Sequence, residues 1–293
     1  MSYIYNVEPP VKIHQPLEHH FVPFRRSLIS CYRYGHGKEI VICFHGYGER
    51  ADHYRIFENA DAGDFSFYCL DLPHHGRTIW KEGNVILPDD LVHIRKAIVD
   101  KHLSEMNDPS LTGAHTLMGY SLGGRVALRL FQSDPGIVKR LVLLATDGLK
   151  FNFWYSFCTQ TILGNRLFHF TMHHSTWLFR VLKFVRKTKL VNKSLLKFIT
   201  DYVEHPNSRR LIYHRWTTLR RMHPSRSAVK RRIRHNHTIT RLLYGKFDRI
   251  MRPVTGRRFA RSVHPFGKVS ELNCGHQLLL PKNTPFILQA LRD

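Results

Sequence analysis

The sequence predicts an α/β protein built on a mostly parallel, doubly wound sheet with an inserted helical lid. Two observations predict this fold. Strand-like apolar runs alternate with segments of helical periodicity, and one long strand-free segment interrupts the alternation. With 293 residues, 43% of them hydrophobic, the chain can bury a large core. This composition argues against an intrinsically disordered protein.

Most of the predicted strands are continuous apolar runs, which are typical of strands covered on both faces. The first 38 residues are extended and contain prolines, and "SLISCYRYG" within them indicates one or two edge strands. Further strand-like runs lie at 40–44, 65–70, 115–119, 140–148, 238–248 and 268–276. Helical periodicity occurs at 89–103, directly after residue 121, at 254–263 and at 284–292.

The segment 151–237 contains no convincing strand. Two stretches in it, 176–203 and 209–222, have the apolar spacing of amphipathic helices. A helical insert between two strands of a parallel sheet is typical of a lid. We therefore expect an α/β core of residues 1–146 and 238–293 and a basic helical lid of residues 147–237.

The positive charge of the chain is concentrated in this segment. The whole sequence has 45 Lys and Arg against 22 Asp and Glu, a net charge of +23, and residues 151–237 alone carry 18 basic and two acidic residues. A solvated basic face is the ordinary interpretation. The functional alternatives are peripheral contact with an anionic membrane or attraction of an anionic substrate. Nucleic-acid binding is disfavoured because the segment contains no known nucleic-acid-reading motif.

Cysteine and histidine patterns indicate neither a disulfide framework nor a metal site. The five cysteines form no Cys-x-x-Cys pair, and the 21 histidines include no His-Glu-x-x-His. We interpret the thiols as buried and reduced, interpret His235 and His237 as lid surface, and expect no metal and no cofactor. No signal peptide or membrane-length apolar run is evident, which predicts a soluble cytoplasmic protein.

The pentapeptide Gly119-Tyr120-Ser121-Leu122-Gly123 matches G-x-S-x-G between a predicted strand and a predicted helix. This pattern places a serine nucleophile on a sharp turn that needs small residues on both sides. A phosphate-binding loop is excluded because Arg125 stands where that loop needs lysine, and the next residue is Val126. An ordinary glycine-rich turn is the remaining alternative.

Four motifs in this order resemble those of the α/β-hydrolase superfamily over nearly the whole chain. They are "CFHGYGE", "DLPHHGRT" with His74 in place of the usual glycine, "GYSLGG", and the pair "YGKFDRI" and "NCGHQLL". The resemblance implies a triad of Ser121 as nucleophile, His276 as general base and Asp248 as its orienting acid. It also implies an oxyanion hole formed by the backbone N–H groups of Tyr47 and Leu122.

Two alternatives to these assignments stay open at the level of sequence. Asp147, after the preceding strand, could supply the acid in place of Asp248, and His75 is a weaker rival to His276. The aromatic residues between 151 and 170 either pack the lid onto the core or line an apolar acyl pocket above Ser121.

Together these features predict a serine hydrolase that acts on a small acyl substrate. It would cleave a carboxylic ester or thioester through an acyl-serine intermediate. The same triad supports acyl transfer or carbon–carbon bond hydrolysis, which remain alternatives. An alternative of another class is a membrane-binding or nucleic-acid-binding protein on a vestigial hydrolase fold.

Overall fold

Within the described residues (18–58, 60, 63–174, 177, 180 and 205–293 of a computed structural model) eight strands form one sheet. They are β1 (Glu18–Phe24), β2 (Ser27–Tyr34), β3 (Glu39–Phe44), β4 (Phe65–Leu70), β5 (His115–Tyr120), β6 (Val138–Leu144), β7 (Ile239–Gly245) and β8 (Gly267–Leu272). Their order across the sheet is β1-β2-β4-β3-β5-β6-β7-β8. All neighbours from β4 to β8 are parallel, and β1 and β2 are antiparallel to their neighbours. The predicted mostly parallel sheet is confirmed.

One strand position differs from the prediction. The segment "SLISCYRYG" forms β2, which is not at the edge, because Cys31 pairs with His20 of β1 on one side and with Leu70 of β4 on the other. The edge is β1, whose outer residues are partly polar and exposed. An antiparallel partner on its outer side lets a largely apolar strand such as β2 lie inside the sheet.

Residues along β3 alternate between two cores, one on each face of the sheet. Ile40, Ile42 and Phe44 belong to the larger hydrophobic cluster, whereas Val41 and Cys43 belong to the cluster on the opposite face. All five side chains are almost fully buried. Burying each of the larger ones stabilises the fold by about 1.5–3 kcal/mol, so the continuous apolar run follows from having two covered faces.

The helices cover both faces of the sheet. They are α1 (Pro88–Met106), α2 (Leu122–Ser133), α3 (Phe153–Gln160), α4 (Ile162–His173), α5 (Pro206–Thr218), α6 (Arg226–His235), α7 (Pro253–Ser262) and α8 (Thr284–Arg292), with a 3-10 helix at Ala51–Phe57. The local sequence determines where several of these helices begin. Proline, which is favoured in the first turn, begins α1, α5 and α7. The Asn152 and Ser225 side chains accept N-cap hydrogen bonds at α3 and α6.

The segment between β6 and β7 contains α3, α4, α5 and α6, while the predicted helix at 176–203 lies, apart from two residues, outside the described residues. Phe168, Met172 and Tyr213 form a small separate hydrophobic cluster between α4 and α5. In contrast, Val229 and Ile233 of α6 are fully buried in the larger core cluster. The last part of the predicted lid therefore packs as part of the α/β core. Among the described residues, no helix has both the length and the apolar character needed to cross a membrane.

Candidate active site

Ser121 lies on a strained turn between β5 and α2. Its φ of 50° and ψ of −114° are far from helical or extended values. The flanking glycines make this turn sterically feasible. A Cβ on Gly119 would lie 2.4 Å from the Gly123 carbonyl oxygen, and a Cβ on Gly123 would lie 1.9 Å from the Phe44 carbonyl oxygen. The turn therefore has the geometry of a nucleophile elbow.

Ser121, His276 and Asp248 lie in one hydrogen-bonded chain. The Nε2 atom of His276 is 3.2 Å from the Oγ of Ser121, and its Nδ1 atom is 2.7 Å from Oδ2 of Asp248. A carboxylate only accepts, so Nδ1 carries the proton and Nε2 of the neutral ring is free to accept the serine proton. This is the arrangement in which a histidine can act as general base toward a serine.

The Asp248 carboxylate is fully buried and has three partners. Its Oδ1 accepts the backbone N–H groups of Ile250 at 2.8 Å and Met251 at 2.9 Å, which leaves Oδ2 directed at His276. Asp147 is placed differently. It lies 3.5 Å from Arg125 and accepts the N–H of Gly148 at 2.6 Å. The structure brings Asp248, and not Asp147, to the histidine.

The two predicted oxyanion-hole residues follow neighbouring strands. Phe44 of β3 pairs with Gly119 of β5, so the loops after both strands leave the sheet side by side. Leu122 is the first residue of α2, where the backbone N–H has no intrahelical acceptor. Tyr47 stands on the adjacent loop. That their N–H groups stabilise an oxyanion stays a prediction.

His45 fixes the loop that carries Tyr47. Its Nδ1 is 2.8 Å from the Gly46 carbonyl oxygen, and its Nε2 accepts the N–H of Leu72 at 3.0 Å. The ring is fully buried, and this burial lowers its pKa to about 4, so it is neutral near pH 7. A neutral ring with a proton on Nδ1 satisfies both contacts. His45 was not singled out from the sequence, although the His-Gly motif contains it.

The loop after β4 is organised by Asp71. Its buried carboxylate accepts the N–H of Ala51 at 2.7 Å and the N–H of Arg77 at 2.9 Å. His74, which replaces the glycine expected from the resemblance of this loop to the α/β-hydrolase motif, has a φ of 62°, in the left-handed region that favours glycine. Its Nε2 lies 3.1 Å from Oγ1 of Thr218, so the replacement links this loop to α5.

His75 lies away from the triad. Its Nδ1 is 2.9 Å from the Pro73 carbonyl oxygen, and its ring packs 4.9 Å from that of His45. Burial lowers the pKa of His75 well below its ordinary value, and the neighbouring His45 and Arg215 add to this effect. The structure therefore places His75 among the residues that shape the loop.

Tyr120 supports the histidine loop. Its hydroxyl lies 3.2 Å from the carbonyl oxygen of His276 and 3.0 Å from Oε1 of Gln277. Tyr120 and His276 are more than 150 residues apart in sequence, and no local sequence pattern indicates their contact. This contact holds the loop that carries His276 against the end of β5, and the sequence did not indicate it.

The aromatic residues of α3 and α4 divide into two groups. Tyr155 and Phe168 are buried, and the Tyr155 ring lies 4.2 Å beneath the guanidinium of Arg125. Phe153, Trp154 and Phe170 are more than half exposed. Only some of the aromatic side chains of α3 and α4 therefore pack the insert, and the others face solvent.

In the described part of the chain, no group of three or more His, Cys, Asp or Glu residues is arranged to hold a metal ion. Cys31, Cys43, Cys69 and Cys274 are buried free thiols, and Cys158 is half-buried.

Comparison with known proteins gives matches over most of the chain. The family model described as serine aminopeptidase, S33, matches residues 35–279. Esterase Rv0045c of Mycobacterium tuberculosis is 30% identical over 117 residues, which is 40% of this chain and only 36% of the length of that esterase.

Two solved structures share the architecture. A thioesterase domain from the curacin biosynthetic pathway has a TM-score of 0.59 at 15% identity, covering 94% of this chain and 100% of that one. A thermophilic esterase from Thermogutta terrifontis has a TM-score of 0.58 at 18% identity, covering 94% and 97%. At these identities the likeness establishes the shared fold.

Proposed function

Since this chain belongs to the serine aminopeptidase S33 family, within the α/β-hydrolase superfamily, we propose that it is a serine hydrolase that cleaves a carboxylic ester or thioester. The single observation that carries the proposal is the hydrogen-bonded chain from Ser121 through His276 to Asp248. The esterase and thioesterase named among its relatives support the same class of substrate.

In the proposed reaction, Ser121 Oγ attacks the acyl carbon while His276 Nε2 takes the hydroxyl proton. The backbone N–H groups of Tyr47 and Leu122 stabilise the oxyanion that forms. His276 then gives its proton to the departing alcohol or thiol, which leaves an acyl-Ser121. Water, deprotonated by His276, releases the carboxylic acid. Asp248 stabilises the imidazolium formed in each half of the reaction.

The charge beside the triad favours an acidic or neutral substrate over a peptide with a free amino terminus. An aminopeptidase must hold a substrate ammonium group, for which carboxylates are the strongest hydrogen-bond partners. Among the described residues that line the cavity next to the triad, Asp147 is the only acid, and it already lies 3.5 Å from Arg125. Six Lys or Arg side chains line the same cavity.

Labelling with a fluorophosphonate tests the proposal. We expect the wild-type protein to be labelled and both Ser121→Ala and His276→Ala to lose labelling. Ser270→Ala, which removes an exposed serine on β8, should label normally. Labelled protein would next be given p-nitrophenyl esters, acyl thioesters and an aminoacyl p-nitroanilide, with and without an acceptor alcohol, which separates hydrolysis from acyl transfer.

Absence of labelling in correctly folded wild-type protein would contradict the proposal and favour a vestigial hydrolase fold. A matched titration with nucleic acid and with anionic vesicles would then test the binding alternatives. Faster consumption of the anilide than of every ester would identify an aminopeptidase instead.

We propose, in addition, that α3 and α4 contact an anionic membrane surface. The specific observation is a set of apolar side chains that are 45–77% exposed on these two short helices: Phe153, Trp154, Ile162, Leu163, Leu167 and Phe170. Exposed apolar clusters of this kind are typical of interaction sites. The net charge of +16 in residues 151–237 complements anionic lipid headgroups.

A further inference from the structure

A cavity of about 720 Å³ lies beside the triad, at the carboxyl ends of β6 and β7. Its walls are residues 146–150, the loop 249–252, and parts of α6 and α7. The volume is within the range of small-molecule sites, about 300–1,000 Å³. Open α/β sheets bind ligands at this end of their strands.

The cavity adjoins the catalytic residues through two hydrogen-bonded contacts. The N–H of Asp147, on one wall, donates to the Ser121 carbonyl oxygen at 2.9 Å. Another part of the wall is bonded to the predicted triad acid, because Asp248 accepts the N–H groups of Ile250 and Met251. The cavity therefore borders the residues that hold Ser121 and Asp248 in place, while the three triad side chains lie outside its lining.

The lining is strongly basic. Its cations are Lys150, Arg226, Lys230, Arg249, Arg252 and Arg258. In the part of the chain that the structure describes, none of these six has a carboxylate within ion-pair distance. Six like charges around one cavity repel one another, and a bound anion removes that repulsion.

Two further features favour an oxygen-rich anion. The α7 helix begins at Pro253, so its positive end lies at the cavity wall formed by Arg252, Val254 and Thr255. Tyr244, which is fully buried, also lines the cavity, and its hydroxyl has no hydrogen-bond partner among the described residues. Buried polar groups are almost always paired, so an unpaired hydroxyl indicates a partner that binds there.

The remaining lining is apolar and includes Leu149, Met251 and Phe259. A mixture of cations and apolar side chains suits an organic phosphate better than a free inorganic ion. We propose that this cavity binds the phosphorylated leaving-group portion of the substrate, so that the enzyme cleaves acyl esters or thioesters of a phosphate-bearing alcohol or thiol. This inference rests on the proposed hydrolase function.

The chemistry of the triad is consistent with this assignment. His276 must protonate the departing oxygen or sulfur, so the leaving group lies on the His276 side of Ser121. The serine proton passes through His276 to the departing oxygen or sulfur, and water then supplies one oxygen of the new carboxylate and restores the serine proton. The phosphate ester itself stays intact and serves only for binding.

The test compares phosphorylated substrates with matched neutral ones. Butyryl-CoA is paired with the butyryl thioester of N-acetylcysteamine, and a lysophosphatidic acid with the corresponding monoacylglycerol. The variant is Arg252→Gln with Arg258→Gln. Its matched control is Arg231→Gln with Arg261→Gln, which removes two exposed cations from α6 and α7 that do not line the cavity.

We expect the ratio of kcat/KM for a phosphorylated substrate to that for its neutral partner to fall at least about tenfold in the cavity variant, because charge-assisted hydrogen bonds are lost. The control should keep the wild-type ratio. The pair that shows the loss identifies whether a CoA-type or a glycerophosphate leaving group is bound. Wild-type ratios in the cavity variant for both pairs would overturn the proposal.

Direct binding separates failure of this inference from failure of the proposed function. Inorganic pyrophosphate and CoA would be titrated calorimetrically into wild type, cavity variant and control, with fluorophosphonate labelling as a check on folding. Weaker binding only in the cavity variant supports the site even if no substrate is cleaved. Equal binding, or none to wild type, would overturn it while leaving the hydrolase proposal intact.

Discussion

Asp248 lies 2.7 Å from Nδ1 of His276, and its other carboxylate oxygen accepts two backbone N–H groups of its own loop. One side chain therefore orients the imidazole and shapes the loop 249–252 that walls the basic cavity. The proposed catalytic site and the proposed binding cavity thus share this residue. A substitution there should affect the chemistry more than one at any other acid of the site.

Asp248→Asn should lower kcat for a p-nitrophenyl ester by about 10⁴, because the imidazolium loses its charged partner. Asp147→Asn is the comparison, since Asp147 lies 3.5 Å from Arg125 and has no contact with His276. We expect less than about a tenfold loss for it, measured by steady-state kinetics. A larger loss for Asp147→Asn than for Asp248→Asn would show that the acid has been assigned wrongly.

Tyr120→Phe should lower kcat by about tenfold with a smaller change in KM, because the His276 loop loses the hydroxyl contacts that position it. Tyr68→Phe is the matched control. Its hydroxyl is also buried, and it lies 3.0 Å from Nδ1 of His102 on α1. Both variants should lose about 1 kcal/mol of stability in urea unfolding, and only Tyr120→Phe should lose activity. Equal kcat values in the two variants would refute the positioning role.

The strands and the elbow could be predicted because their signals are local. A continuous apolar run followed by glycine indicates a buried parallel strand and its turn, as in β3 and β5. The contact from Tyr120 to Gln277 could not be predicted, since it joins the end of β5 to the loop after β8, and only the order of strands in the sheet brings these two segments together. The prediction that β2 lies at the edge of the sheet was wrong for the same reason. The sequence of a strand does not show which strands lie beside it.

The helix α6 packs in the core although most of its sequence is basic. Its sequence, RSAVKRRIRH, is dominated by basic residues, yet Val229 and Ile233 are fully buried against the main core. Two apolar residues four positions apart lie on one face of a helix and are sufficient to attach it. The other faces carry the cations, among them Arg226 and Lys230 of the cavity.

Gly123→Ala should prevent formation of the elbow. The added Cβ would lie 1.9 Å from the Phe44 carbonyl oxygen, a backbone atom of the central strand β3 that cannot move away cheaply. We expect a loss of at least about 3 kcal/mol in the free energy of unfolding, with no fluorophosphonate labelling. Gly136→Ala, where the nearest atom is 3.9 Å away, should change stability by less than about 0.5 kcal/mol. Normal labelling of Gly123→Ala would contradict the elbow geometry.

The buried His45 should make the free energy of unfolding depend on pH. The unfolded chain protonates this imidazole near pH 6.5, whereas burial lowers its pKa to about 4 in the folded protein. Between these values the unfolded state binds more protons, so the free energy of unfolding falls as pH falls from 6.5 to 4. The stabilising contribution is complete above pH 6.5 and lost below pH 4.

Urea unfolding of His45→Gln across this range should give a shallower pH dependence than wild type. His74, whose pKa burial also lowers to about 4, keeps part of the slope in the variant. His93→Gln, at an exposed position on α1, should leave the wild-type slope unchanged. Identical slopes for His45→Gln and wild type would mean that His45 is not the buried neutral imidazole that holds the loop after β3.

Trp154→Ala with Leu163→Ser should weaken binding to anionic vesicles, because these side chains are 71% and 73% exposed and would insert among the lipids. Sedimentation with phosphatidylserine-containing vesicles, compared with phosphatidylcholine alone, measures the effect. We expect wild type to bind the anionic vesicles and to be released by salt, since each basic residue near the surface contributes about 1 kcal/mol. The variant should bind at least about tenfold more weakly.

A control variant, Phe21→Ala, removes an exposed aromatic side chain from the edge strand β1. This strand lies at the other end of the sheet from β8, and the variant should bind as wild type. Equal binding by all three proteins would exclude α3 and α4 as the membrane contact.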